Sequence, residues 1–141
     1  MNEGLSPETE EKLSEGKVVL IAPTGRSMRP FLKEGRDVAV LKRQMPKRYD
    51  VILYAREDGS LILHRIIGCG RDSFTVCGDR TADIETVFPS QVLAVMTHIK
   101  RDGRLTETHC LRYKIFERVW CFMPLRRAII FLNKKLKKTN Y

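Results

Sequence analysis

The sequence lacks any hydrophobic run long enough to cross a membrane. A transmembrane helix needs about 20 consecutive apolar residues, whereas the longest uncharged apolar stretches, 119–125 and 128–132, are separated by Arg126 and Arg127. An export signal is also missing, because residues 1–16 carry five glutamates where a basic segment and an apolar run are required. We therefore expect a cytoplasmic protein that does not span a membrane.

The four cysteines do not form a metal-binding pattern. Cys69, Cys77, Cys110 and Cys121 include no C-x-x-C pair and have no histidine at ligand spacing, both of which are typical of zinc sites. We therefore expect reduced thiols and no metal. Cys69 and Cys77 flank a predicted hairpin and could face each other there, which leaves open whether they are bonded.

Acidic residues are nearly absent from the C-terminal part of the chain. Residues 111–141 carry nine basic side chains and one acidic side chain, Glu117, whereas residues 1–110 carry 17 basic and 16 acidic side chains. Almost all of the net charge of +9 therefore lies in the C-terminal part. Attraction to anionic surfaces should be confined to this part, and we expect no nucleic-acid partner.

The pattern of residues 1–108 predicts one short helix followed by a mainly β domain. Ser6 and Pro7 are typical of a helix start, and Gly16 marks the end of the helix. β-branched and aliphatic runs then alternate with turn residues, and Asp58-Gly59 marks the clearest hairpin. Strands at this spacing, without long helices between them, favour an antiparallel β-barrel or sandwich. The predicted strands cover residues 18–22, 38–41, 51–54, 61–67, 73–77 and 92–99.

Residues 109–141 predict an amphipathic helical tail after the N-terminal helix (1–16) and the β domain (17–108). Apolar residues recur at helical spacing on both sides of Pro124, which indicates two helices joined at a kink. Two compatible interpretations stay open: the helices pack on the domain, or they lie on an anionic membrane surface. The second predicts lipid contacts by Trp120, Phe122, Ile129, Ile130 and Phe131 and by Arg126, Arg127, Lys134, Lys135, Lys137 and Lys138.

A hexapeptide after the first predicted strand contains a candidate nucleophile. The segment GRSMRP (25–30) places Ser27 on a glycine-containing turn, where its Oγ and nearby backbone N–H groups are accessible. A nucleophile and its oxyanion hole need this arrangement. A serine in such a turn is also a common structural residue, so the hexapeptide alone leaves both interpretations open.

His64 is the candidate base for that serine. A hydroxyl keeps its proton near neutral pH, and histidine has a pKa suited to accepting it. Strand alternation puts His64 on one face with Ile62 and Ile66, which fits either a base in a dry groove or a semi-buried structural histidine. His98 and His109 lie near a turn and the loop after it, where exposed structural roles suffice.

A catalytic base is oriented by an acceptor at its second ring nitrogen. Asp79 follows the strand 73–77, which is predicted to pair with the strand of His64. Asp83 and Glu85 are the competing carboxylates. Acidic residues in a loop after a strand are also often solvated or capping groups, so the residues alone do not identify the third group.

In content and in order, these segments resemble the superfamily of signal peptidase I and the LexA-type self-cleaving repressors. Its members carry a G-x-S-M-x-P nucleophile box, a base on a later strand and a G-D box. The corresponding segments here are GRSMRP (25–30), GRDV (35–38), YDVI (49–52), LHRIIG (63–68) and VCGDR (76–80). The resemblance covers residues 17–103, and it departs from the usual second G-D box at Tyr49, where that box has glycine.

The base position in this superfamily holds lysine or histidine, and His64 resembles the Ser–His branch. The resemblance implies a LexA/signal peptidase-like β fold and a serine endopeptidase that acts on a peptide or protein substrate without a metal or organic cofactor. Ser27 then attacks the peptide carbonyl and its N–H helps to hold the oxyanion, while His64 transfers the proton. The resemblance further implies that Asp79 or Asp83 orients the imidazole.

The same resemblance implies that Met28 and Pro30 shape a substrate groove. Signal peptidases work behind an N-terminal membrane anchor, and none is present in residues 1–16, so we expect cleavage in the cytoplasm or at the inner membrane surface through residues 111–141. One rival is a catalytically silent module that binds an extended peptide, which Arg26 favours because many relatives have glycine there. The other is a regulator that cleaves its own N-terminal segment, although the sequence has no helix-turn-helix pattern.

Overall fold

The described part of the chain forms one antiparallel sheet of eight strands with three α-helices. The computed structural model describes residues 5–138, with side chains up to residue 135. The prediction of a mainly β fold is confirmed. Helix α1 covers Pro7–Ser14, α2 covers Leu111–Trp120 and α3 covers Met123–Lys138. The strands are β1 (Val19–Ile21), β2 (Asp37–Lys42), β3 (Val51–Ala55), β4 (Leu61–Cys69), β5 (Phe74–Cys77), β6 (Ile84–Val87), β7 (Val92–Arg101) and β8 (Arg104–Glu107).

The strand order places His64 near the middle of the sheet. The order is β1–β2–β7–β3–β4–β5–β6, with β8 paired to the C-terminal half of β7. β3 and β4 form the hairpin predicted at Asp58-Gly59, with Ile52 opposite His64. β5 pairs with β4 on its other side, as predicted, so the strand of His64 has a neighbour on both edges.

Two strands are not predicted from the sequence, and the facing arrangement that the hairpin allowed for Cys69 and Cys77 does not occur. β6 and β8 are four residues each, and such short strands form mainly because a neighbouring strand supplies the hydrogen-bonding partners. Cys69 lies opposite Phe74, and Cys77 lies opposite Arg65, so the two cysteines do not face each other. All four cysteines are free thiols.

Both faces of the sheet are buried at β3. Val51 and Leu53 point into one apolar cluster, and Ile52 and Tyr54 point into a second cluster on the other face. A strand that is buried on both faces reads as a continuous apolar run, which explains the sequence VILY. The first cluster contains Met28 and Phe31 of the loop between β1 and β2, and the second contains Ile66, Val76, Val87 and Val95.

The helix predictions are confirmed before the first strand and after the last strand of the chain. Ser6 Oγ accepts a hydrogen bond from the backbone N–H of Thr9 at 3.3 Å and caps α1. The tail forms two helices, and Pro124 lies in the first turn of α3, where its missing N–H is tolerated. Within residues 5–138, no helix is both long enough and apolar enough to cross a lipid bilayer.

Helix α2 packs on the domain through aromatic side chains. The ring of Tyr113 meets the ring of Phe31 edge-on with centroids 5.1 Å apart, and the ring of Phe116 stacks on Phe31 at 5.6 Å. Trp120 continues this row by stacking on Phe116 at 6.0 Å. The inner face of α2 therefore completes the first apolar cluster.

The tail residues that face the solvent differ from those predicted to contact a membrane. Arg126 is fully buried, and the Trp120 indole donates a hydrogen bond to the domain, so neither side chain is available to a membrane as predicted. Ile129 and Ile130 are half-buried. The side chains of Lys137 and Lys138 lie outside the described residues. The exposed large apolar residues of the tail are Leu111, Ile115, Val119, Phe122, Leu125, Phe131 and Leu132.

Candidate active site

Ser27 lies on the loop between β1 and β2, which is anchored on both sides of the serine. Gly25 has a φ of 81°, in the left-handed region that favours glycine, and Met28 buries its side chain in the first apolar cluster. The backbone oxygen of Ser27 accepts a hydrogen bond from the N–H of Arg80 at 2.7 Å. The Ser27 side chain stays half-exposed, as a nucleophile must be.

Ser27 and His64 come together at Gly78. A carbon atom at the Cβ position of Gly78 would lie 3.2 Å from Ser27 Cβ and 3.0 Å from His64 Nε2. Ser27 and His64 also line one cavity. Their side chains form no hydrogen bond with each other in the described part of the chain; catalytic hydrogen bonds are often long or poorly aligned until a substrate binds. The structure thus brings the predicted nucleophile and base side by side.

The second ring nitrogen of His64 faces Tyr54 and Glu85. The distance from Nδ1 to the Tyr54 hydroxyl is 3.4 Å, and the distance to Glu85 Oε1 is 3.9 Å. Glu85 is itself held by Arg56, whose Nε donates to Glu85 Oε2 at 3.0 Å. These contacts can fix the orientation of the imidazole with Nε2 directed to Ser27.

Burial sets the protonation state of this cluster. Burial lowers the pKa of the His64 imidazole below its ordinary value. The nearby Glu85 carboxylate raises this pKa and the Arg56 guanidinium lowers it, but burial is the largest effect. The lowered pKa favours the neutral imidazole at pH 7. Burial and the Glu85 charge raise the pKa of the Tyr54 hydroxyl, which keeps its proton. A neutral imidazole is the form that accepts a proton from a serine.

Asp79 and Asp83 do not contact His64, contrary to the role that the resemblance implies for them. Asp79 is fully buried, and its two carboxylate oxygens accept hydrogen bonds from Nε and Nη2 of Arg65, both at 2.8 Å. Asp83 is exposed and lines a small cavity beside Ser27. Glu85, which the sequence analysis considered as a competing carboxylate, faces the imidazole instead.

Asp79 connects the site to the C-terminal helices. The indole Nε1 of Trp120 donates to the backbone oxygen of Asp79 at 2.5 Å, and Nη1 of Arg126 donates to the backbone oxygen of Gly78 at 3.3 Å. Nη2 of Arg126 lies 3.5 Å from the Asp79 carboxylate. Trp120 and Arg126 of the tail therefore bind the backbone of Gly78 and Asp79, and Gly78 itself lies next to Ser27 and His64.

The Ser27 loop offers free backbone donors for an oxyanion. Within residues 5–138, neither the N–H of Ser27 nor that of Met28 donates a hydrogen bond. Free N–H groups beside a nucleophile are the elements of an oxyanion hole. The Ser27 N–H is the donor that the sequence resemblance implies.

Two cavities of different character adjoin the loop that carries Ser27. A groove of about 300 Å³ has an apolar wall, which includes Met28, Leu53 and Leu63, and it contains both Ser27 and His64. Pro30 does not line this groove but lies in a second cavity of about 460 Å³, between the Ser27 loop and α3. Of the two predicted groove residues, only Met28 therefore lines the cavity that holds His64.

The sequence analysis missed Tyr54, although a signal for it is present. The Asp58-Gly59 turn fixes the register of the hairpin, which places Tyr54 opposite Ile62. Alternation then puts Tyr54 on the same face as His64.

Among the described residues, no group of three or more His, Cys, Asp or Glu side chains is placed to hold a metal ion.

Comparisons with protein-family models, with curated proteins and with solved structures give no match to this chain.

Proposed function

We propose that this chain is a serine endopeptidase of the Ser–His type, with a fold and site like those of signal peptidase I and the self-cleaving repressors. The observation that carries the proposal is the meeting of Ser27 and the buried His64 at Gly78. Free N–H groups on the Ser27 loop and the groove beside it support the same chemistry. A peptide or protein is the proposed substrate.

The proposed reaction uses both ring nitrogens of His64, Nε2 for proton transfer and Nδ1 for orientation. Ser27 Oγ forms a bond to the carbonyl carbon of the substrate as its proton passes to His64 Nε2, and the Ser27 N–H stabilises the resulting oxyanion. His64 then gives the proton to the leaving amine as the peptide bond breaks. In the second half of the reaction, His64 takes a proton from water as the water oxygen bonds to the acyl carbon. The ester bond to Ser27 Oγ then breaks and His64 returns the proton to Ser27, while Tyr54 and Glu85 keep Nδ1 oriented.

A fluorophosphonate probe tests the nucleophile directly, because it labels activated serines covalently. Ser27→Ala should abolish labelling, and His64→Ala should reduce it nearly as far, since members of one catalytic unit are not additive. Ser90→Ala and His98→Ala are matched controls, because Ser90 is exposed and His98 lies on β7 with Nδ1 bonded to the Thr97 hydroxyl at 3.0 Å. Full labelling of His64→Ala would contradict the mechanism.

Incubation of the chain with peptides separates cleavage from the two rival functions. Peptide cleavage in trans that Ser27→Ala abolishes supports the endopeptidase. Retained peptide binding with no turnover and no probe labelling would instead indicate the silent binding module. Loss of the N-terminal segment alone, without cleavage of added peptides, would indicate the self-cleaving regulator.

We also propose that the enzyme works in the cytoplasm and that the tail contacts an anionic membrane surface. Leu111, Ile115 and Val119 are exposed at intervals of four residues, so they form one outward stripe on α2. The one acidic residue of the tail, Glu117, is paired with Arg65 at 3.2 Å, whereas the exposed basic residues can face lipid headgroups. The exposed basic residues are Arg112, Lys114, Arg118, Arg127, Lys134 and Lys135.

Vesicle flotation tests this membrane contact. We expect binding to vesicles that contain phosphatidylglycerol, weaker binding at high salt, and loss of binding in the double variant Ile115→Glu/Val119→Glu. Leu20→Glu is the control, because Leu20 is equally exposed but lies on β1. Flotation that does not depend on lipid charge, or that survives the double substitution, would contradict the contact.

A further inference from the structure

The cavity between the Ser27 loop and α3 has a cationic rim. Its volume is about 460 Å³, and Arg29, Arg80 and Lys134 line it together with apolar groups of Trp120 and Ile129. A smaller adjoining cavity contains Ser27 as well as Arg80 and Lys134. The cationic cavity, as we call the larger one, is therefore adjacent to the proposed nucleophile.

The charges of this rim are not balanced within the described residues. None of Arg29, Arg80 and Lys134 forms a salt bridge there. The Nε of Arg29 is buried without a hydrogen-bond acceptor, although buried donors are normally paired. No carboxylate lines the cationic cavity, and the smaller cavity has only Asp83. The chemistry that complements this rim is an anion.

We propose that the cationic cavity binds an acidic side chain of the peptide substrate, on one side of the scissile bond. This inference rests on the proposed peptidase function and specifies its substrate class. Ser27 lines both the apolar groove and the smaller cavity, which shares Arg80 and Lys134 with the cationic cavity. An extended peptide at Ser27, at about 3.3 Å per residue, therefore reaches both sides within a few residues. The favoured substrate therefore has apolar residues on one side of the cleaved bond and Asp or Glu on the other.

Arginine is suited to this recognition because its guanidinium forms paired hydrogen bonds with a carboxylate. Arg29 belongs to the Ser27 loop, Arg80 follows the Gly78 segment, and Lys134 lies on α3. Each of the three elements that meet at Ser27 thus contributes one cation. The tail consequently takes part in substrate selection as well as in holding the site.

Binding to a non-cleaving form tests the inference separately from catalysis. The peptides are fluorescein-labelled and have an amidated C-terminus. Each has one apolar half and one half that contains either Glu or Gln, and the two halves are tested in both orders along the peptide. Fluorescence anisotropy measures the affinity of each peptide for the Ser27→Ala variant. We expect the Glu peptide of one order to bind about tenfold more tightly than its Gln counterpart, and the preference to weaken with salt.

Charge reversal at Arg80 tests whether the cationic cavity causes the preference for Glu peptides. Arg80→Glu in the Ser27→Ala background should remove the preference for Glu and favour a matched Lys peptide. Arg71→Glu is the control, because Arg71 is exposed on the turn between β4 and β5 and lines neither cavity. Circular dichroism verifies that each variant is folded.

Three outcomes decide between the proposals. Equal affinity for Glu and Gln peptides in both orders overturns the inference, and so does a Glu preference that survives Arg80→Glu. A Glu preference that is lost in Arg80→Glu, combined with no hydrolysis of the same peptides by the unsubstituted protein, supports the cationic cavity and rejects the peptidase.

Discussion

Substitution of Gly78 by alanine should disable the site while leaving the fold in place. The added methyl carbon would lie 2.8 Å from the Ser27 backbone oxygen, 3.0 Å from His64 Nε2 and 3.2 Å from Ser27 Cβ. Real Cβ atoms do not approach other atoms as closely as the first of these distances. The nucleophile loop and the base must therefore move apart.

The size of the effect follows from the small space available. The first contact must open by about 0.6 Å to reach an ordinary van der Waals distance, and Ser27 O cannot yield alone because Arg80 N is bonded to it at 2.7 Å. Overpacking of this kind costs about 1–3 kcal/mol of stability. Misplacement of catalytic groups by about 1 Å reduces a rate about 100-fold, so we expect a loss of roughly tenfold to 100-fold.

The rate of fluorophosphonate labelling measures this loss, and thermal unfolding measures the stability. Gly68→Ala is the matched control, because Gly68 lies on the same strand as His64 and a Cβ there meets Thr75 at an ordinary 3.6 Å. The reasoning is refuted if Gly78→Ala is labelled as fast as the unsubstituted protein, or if Gly68→Ala is slowed to the same extent.

Three other substitutions probe the electrostatics and the backbone. Because the Glu85 carboxylate raises the pKa of His64, Glu85→Gln should move the acid limb of the kcat/KM profile to lower pH; an unchanged limb would show that Glu85 does not act on the base. Burial raises the pKa of Glu117 from 4.5 to about 7, so the folded state holds an extra proton between these values and stability falls as pH rises through them, by at most about 3 kcal/mol. Glu117→Gln should flatten this slope in urea unfolding from pH 5 to pH 8, and an unaltered slope would assign it to another group. Tyr49 has a φ of 74°, where a side chain costs about 1 kcal/mol, so Tyr49→Gly should raise the unfolding free energy by about that amount and Tyr49→Ala should not; equal effects of the two would exclude backbone strain as the cause.

Much of the sheet is predictable because its signals are local. Turn residues and β-branched runs mark β1–β5 and β7 to within two residues at either end, and the continuous apolar run of β3 reflects burial on both faces. β6 and β8 escaped prediction because short strands depend on hydrogen bonds from β5 and β7. Each partner is the strand that directly precedes it in the chain, but neither β6 nor β8 contains an apolar run that marks it as a strand.

The third member of the candidate site shows the limit of this reasoning. The sequence favours Asp79 as the acceptor and leaves Asp83 and Glu85 as competing carboxylates, but Arg65 on the opposite face of β4 takes both oxygens of Asp79. Glu85 reaches His64 because β6 pairs with β5 in the register that places Glu85 opposite Val76. Neither the binding of Asp79 by Arg65 nor the register between β5 and β6 can be predicted from the spacing of these residues in the sequence.

The tail illustrates the same difference. Its amphipathic period and its positive charge are evident from the sequence, and the helices form where the period predicts them. Burial of Arg126 and attachment of Trp120 to the Asp79 backbone arise only when the tail meets the Gly78 segment.

The sequence by itself determined six of the eight strands, the helices and the set of reactive side chains, because alternation, turn chemistry and residue type act over a few neighbouring positions. Tertiary structure alone decided which of those side chains meet. Hydrogen bonds and ion pairs act over a few ångströms, so the partners of Ser27, His64 and Asp79 depend on how distant segments are brought together.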